Sequence, residues 1–187
     1  MDEQKLLEQY NKYVSLLGRV FDEKQIDELT NKLGERMLLC PTGLTTLTGG
    51  YPGSLIEFSL QVAQKAKEYA PSPDIVKSAV RVALIHELGK VGDLSEELYV
   101  VQESDWHRDK LGQNYKYSED CSRMNIAHRT LFLLQNFGIT LSREEWLAVV
   151  TSQGLHLSEN SFYGTTLSDL ISLLQFSRSV VLSQRHI

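Results

Sequence analysis

A chain of 187 residues, 42% hydrophobic and 23% charged, has the length for one domain with a real core and the balance of an ordinary globular protein. Its formal net charge of -5 makes a nucleic-acid partner unexpected, since phosphate neutralisation needs a basic face, and permits a partner with a basic surface. No apolar run reaches membrane-span length and the first residues lack a basic start and an apolar stretch, so neither a membrane protein nor a secreted one is expected, and a cytoplasmic location is.

Helical spacing of apolar residues predicts a first helix over Glu3–Val20 and a second over Glu23–Leu39. A threonine-rich loop punctuated by Pro41, Gly43, Gly49, Gly50, Pro52 and Gly53 follows. Ser54, with Glu57 three residues on, reads as the N-cap of a third helix ending near Ala70. A fourth helix starts at Ser72 or Asp74. It is apolar on several faces, as a buried central helix should be, and it stops around Gly89–Gly92. The stretches Leu98–Gln102 and Gln113–Tyr117 are short, aromatic and β-branched, and predict a small hairpin around an insert at Trp106–Gly112. Three helices complete the chain, over about Ile126–Phe137, Ser142–Ser152 and Leu167–Arg185, the second opening on a Ser142/Glu145 capping box. The expectation is a single all-α domain over residues 1–187 with one small β-hairpin. Cys40 and Cys121 match no zinc spacing and read as idle thiols.

The stretch Ala83-Leu-Ile-His86-Glu87-Leu-Gly-Lys90-Val-Gly-Asp93 resembles the HD motif, in which adjacent His and Asp on a buried helix bind a divalent metal. Further resemblance lies in Gly49–Leu60, Glu103–Gly112, Tyr115–Tyr117, Arg129–Gln135 and Glu144–Leu147. Together these are similar to the short HD-domain phosphohydrolases of tailed bacteriophages, enzymes that hydrolyse deoxynucleoside triphosphates or monophosphates. The similarity covers nearly the whole chain and implies an HD-domain helical bundle.

Its departures bear on function. The family pattern has four ligands: an early His, the His-Asp pair, and a late Asp on the final helix. Here Phe58 stands at the first position, Glu87 replaces the Asp of the pair, and Arg178 occupies the last, so that only His86 is unchanged. A catalytic site needs about three protein ligands and an open position for water. Without the ion no water is acidified and no phosphoryl oxygen polarised. The resemblance therefore implies no bound metal, no cofactor and no catalytic residue, and an Arg178 free to pair with Glu87. Thr48 and Ser152-Gln153-Gly154 stand where the family has further polar residues, His before Asn and His-Asp-Gly.

Several residues admit two readings. Lys90 corresponds to a lysine thought to hold phosphate in active relatives, and equally suits a solvated helix end. Trp106, His107 and Arg108 are candidates for stacking on a base and binding phosphate, or for a brace with Trp106 packed under the hairpin. His128 and Arg129 are expected to start a helix and bind nothing; His156 and His186 are expected at the surface. The expected function is that of a non-catalytic binding or regulatory protein on a retired enzyme scaffold, phage-encoded and directed at a host protein or defence pathway in the host cytoplasm. A homo-oligomer is expected by analogy. Two alternatives stay open: a phosphohydrolase rebuilt around His86, Glu87 and Asp93 or Asp169, and a nucleotide sensor without hydrolysis.

Overall fold

The computed structural model describes residues 2–164 and 167–184. Helices α1 (Glu3–Val20) and α2 (Glu23–Leu39) form where the apolar spacing places them. They are followed by α3 (Ser54–Glu68) and α4 (Pro73–Ile85), strand β1 (Tyr99–Val101), helix α5 (Asp105–Leu111) and strand β2 (Tyr115–Tyr117). Helices α6 (Ile126–Asn136), α7 (Arg143–Val150) and α8 (Asp169–Gln184) complete the fold, which is all-α with one antiparallel pair of strands. Among the described residues no helix is long and apolar enough to cross a membrane. Arg185 and His186 lie outside them.

Helix α4 is the centre. It packs against α1, α3, α7 and α8, and its last turns bury Ala79, Val82, Ala83, Leu84 and Ile85. Residues buried on several faces are what its apolar composition demands. The buried Tyr13 hydroxyl of α1 donates to the Leu84 carbonyl at 2.7 Å, fixing α1 against the end of α4. Beyond His86 the chain tightens into a 3-10 turn at Leu88–Val91, on which α6 lies. Gly89 permits that approach: a Cβ there would stand 2.2 Å from the Ile126 carbonyl oxygen and 2.8 Å from the Thr130 nitrogen. Its own N–H donates to the Thr130 hydroxyl at 2.8 Å.

Two local expectations are corrected. Ser54 does not cap α3; the N-cap is Gly53, in the left-handed region at φ 78°. The Ser54 hydroxyl instead accepts from the Thr42 N–H at 2.7 Å and donates to the Gly49 carbonyl, closing the threonine-rich loop, while Glu57 accepts from the Tyr51 hydroxyl at 2.7 Å. A side chain that can reach a buried loop carbonyl satisfies more backbone there than at a helix start already served by a turn. The brace reading of Trp106 also fails, because its indole lies on α5, between the strands in sequence, and is 60% exposed.

At α7 the capping box is present: Ser142 Oγ accepts from the Glu145 N–H at 3.2 Å and Glu145 Oε2 from the Ser142 N–H at 3.0 Å. Ser142→Ala should lower stability by about 1 kcal/mol in urea denaturation. An unchanged midpoint would show that the Arg81–Glu145 ion pair, at 2.8 Å, holds this helix end unaided.

Candidate functional site

His86 is the C-cap of α4, and the chain turns immediately after it, so the next side chain, Glu87, points into the same interior as His86. Both are fully buried. Phe58 reaches them from α3, its ring centroid 5.9 Å from the imidazole, and Arg178 arrives from α8. The four positions that the resemblance makes equivalent to metal ligands thus lie together, drawn in by the packing of α3 and α8 on α4.

Glu87 is surrounded by donors. Arg178 donates to Oε1 through Nε at 3.2 Å and Nη2 at 3.0 Å. Gln153, just after α7, donates to the same oxygen at 2.8 Å, and its own Oε1 accepts from Arg178 Nη2 at 3.3 Å. The Lys90 ammonium closes on Oε2 as an ion pair and donates to the Thr42 carbonyl at 2.6 Å. Burial by itself would raise the Glu87 pKa; the Lys90 and Arg178 charges outweigh it, and the carboxyl is held well below the usual carboxylate range. It is an anion with two cations beside it.

His86 is neutral. Its Nδ1 lies 2.9 Å from the Ala83 carbonyl oxygen, which can only accept, so Nδ1 carries the hydrogen and Nε2 the lone pair. Burial lowers its pKa to about 4, with Arg178 and Lys90 acting in the same direction and Glu87 opposing. Nε2 has no hydrogen-bond partner and sits 3.9 Å from Glu87 Oε1.

These donors do not fit a divalent ion. The bare Nε2 of His86 is one ligand-like atom. Glu87 is already enclosed by N–H groups, Phe58 has no donor atom, and Arg178 brings a fixed positive charge with its guanidinium 5.9 Å from the Phe58 ring centroid. Asp93 does not complete the set: its Oδ1 accepts from the Ser95 and Glu96 N–H groups at 2.9 and 2.8 Å, turning the loop. Asp169 begins α8, nine residues before Arg178 and so about 13 Å away along the axis. Among the described residues no three His, Cys, Asp or Glu side chains gather as a ligand set.

A cavity of about 150 Å³ opens over the ion-paired cluster, between Thr42, Leu47, Thr48, Phe58, Lys90 and Arg178. Trp106, His107 and Arg108 do not line it. Arg108 bends back to Asp105 and the Gln102 carbonyl, and His107 Nδ1 pairs with Ser104 Oγ at 2.8 Å, so their polar groups serve α5 itself. His156 is at the surface, as expected, and His128 is exposed in the first turn of α6. Arg129 starts α6 with it, as expected, but is buried and donates to the Gly89 and Ser122 carbonyls, which corrects the expectation that it binds nothing. Gln153 carries a role that no local pattern announces, because it stands 66 residues from Glu87. The Glu87–Lys90 pair was readable, since three residues apart is the spacing at which charges meet on a helical turn. Compared with protein-family models, with curated proteins and with solved structures, the chain matches none.

Proposed function

We propose that the protein is a non-catalytic relative of the phage HD-domain phosphohydrolases, kept for binding or regulation, with an ion-paired cluster where its relatives hold a metal. One observation carries this reading: the Glu87 carboxylate, the second of only two surviving ligand-like groups, is enclosed by Arg178, Lys90 and Gln153. A buried cluster holding two cations to one anion repels a further cation, and without a metal-activated water the hydrolytic route is closed. The exposed surface next to the cluster suits a protein partner, consistent with a phage protein directed at a host protein. The Thr46 N–H bonds the Gly112 carbonyl at 3.0 Å, so the exposed Leu47 and Leu111 flank one contact, and Leu47 also borders the cavity. Exposed apolar groups beside polar ones are a common feature of protein interfaces.

A nucleotide-sensing reading is favoured by the same cavity, whose wall includes two cations. Incubating purified protein with each nucleoside triphosphate and monophosphate, with Mn²⁺, Mg²⁺ or Co²⁺, separates the readings. No turnover is expected from any combination. Multiple turnovers with any metal would overturn the non-catalytic reading, and saturable binding without turnover would select the sensor.

A further inference from the structure

At the α6 N-terminus lies a larger cavity, of about 490 Å³, in the range of small-ligand pockets. It shares no lining residue with the cavity over the ion pairs; Gln153, in its wall, is hydrogen-bonded to Glu87 and Arg178 of that cluster. Leu98, Met124, Ile126 and Leu157 make it apolar, with Tyr117 and Met124 exposed at its mouth.

Arg129 is the unusual group in this wall. It is 1% exposed, yet no carboxylate of the described residues pairs with it. Nη1 donates to the Gly89 carbonyl at a long 3.4 Å and Nη2 to the Ser122 carbonyl at 2.5 Å. Carbonyl dipoles hold a guanidinium in place without neutralising it, and a buried charge without a counter-ion is costly. The Arg129 charge helps to hold the Asp93 carboxyl low without forming an ion pair with it, and Asp93 Oδ1 is engaged in its own turn. Arg123 also lines the cavity, whose wall contains no Asp or Glu. Asn125 and Ile126 add the positive end of an eleven-residue helix. Glu159, outside that wall, accepts from Asn125 Nδ2 at 3.0 Å. In a chain of net charge -5 this is a local basic, apolar recess.

We propose that this recess binds a small amphipathic anion, with a carboxylate or phosphate directed at Arg129 and an apolar body against Met124, Ile126 and Leu157. The site does not depend on the ion-paired cluster being non-catalytic.

The test titrates the protein with benzoate, phenyl phosphate and neutral benzamide, followed by NMR shifts of the Met124 methyl and the Ile126 amide. At least one anion should bind at least tenfold more tightly than benzamide, benzoate alone indicating a carboxylate ligand and phenyl phosphate alone a phosphate ligand. Met124→Glu places a negative charge at the mouth on an exposed residue, and should weaken that anion at least tenfold with the fold intact. Arg129→Met should abolish it; if that variant does not fold, Met124→Glu decides. Anions no tighter than benzamide, no shifts at either reporter, or unchanged anion affinity in Met124→Glu would each overturn the proposal.

Discussion

Replacing Lys90 and Arg178 together by alanine should destabilise the protein by about 3–5 kcal/mol at neutral pH, the usual penalty for leaving a buried charge without its partner. Glu87 is fully buried, and both counter-charges would be gone, leaving it the Gln153 amide. Arg178→Ala alone should cost less, because Lys90 remains on Oε2. Adding Glu87→Gln to the double variant should recover part of the loss, since a neutral amide in the same place needs no cation. Urea denaturation of the four proteins measures this. A double variant within about 1 kcal/mol of wild type would mean that water reaches Glu87 and that the cluster is not a closed replacement for an ion.

The second large effect is expected in acid. His86 is buried and neutral, with a folded-state pKa near 4 against 6.5 for an ordinary imidazole. As pH falls through 6.5 the unfolded chain takes up the proton first, so the stability tied to neutral His86 is complete above about pH 6.5 and lost as pH approaches 4. A displacement of that size corresponds to about 3 kcal/mol. Glu87 acts in the same direction at lower pH, since its folded-state pKa is depressed and its contribution fades as pH falls from the ordinary carboxylate pKa of 4.5 downward. Denaturation midpoints at pH 7, 6, 5 and 4 should therefore fall steeply for the wild type. His86→Asn, whose amide nitrogen stands where the imidazole has Nδ1, keeps a donor for the Ala83 carbonyl and removes the titration, so its profile should be flatter over that interval. Equal slopes for the two proteins would show that His86 is not held neutral in the fold.

Much of the helical frame was legible because burial imposes a period. Tyr13, Leu17, Ile26, Leu29 and Leu33 recur at helical spacing and are all core residues. Ser142 and Glu145 announced their cap because both partners are local. Ser54 misled for the converse reason: its pattern with Glu57 is that of a cap, but a loop twelve residues back competes for the hydroxyl. Helix α5 was hidden inside the insert because seven residues with no buried member leave no apolar period to read. At the site, the gathering of Phe58, His86, Glu87 and Arg178 was expected from the resemblance, and composition or spacing alone would not have joined residues on three helices. The resemblance singled out Gln153, but its bond to Glu87 and the burial of Arg129 were not legible, since each depends on contacts across long stretches of chain.

Whether an ion-paired cluster stands in place of a metal site is tested by thermal melting with Mn²⁺, Co²⁺ or Zn²⁺. The wild-type melting temperature should not rise across a titration of any of the three ions after chelator treatment, whereas a variant carrying Phe58→His, Glu87→Asp and Arg178→Asp should gain a metal-dependent rise, because a ligand that binds only the folded state stabilises it by mass action. A saturable, stoichiometric rise in the wild type, abolished by His86→Gln, would contradict the account, for it would mean that His86 and Glu87 hold an ion despite Arg178 and Lys90.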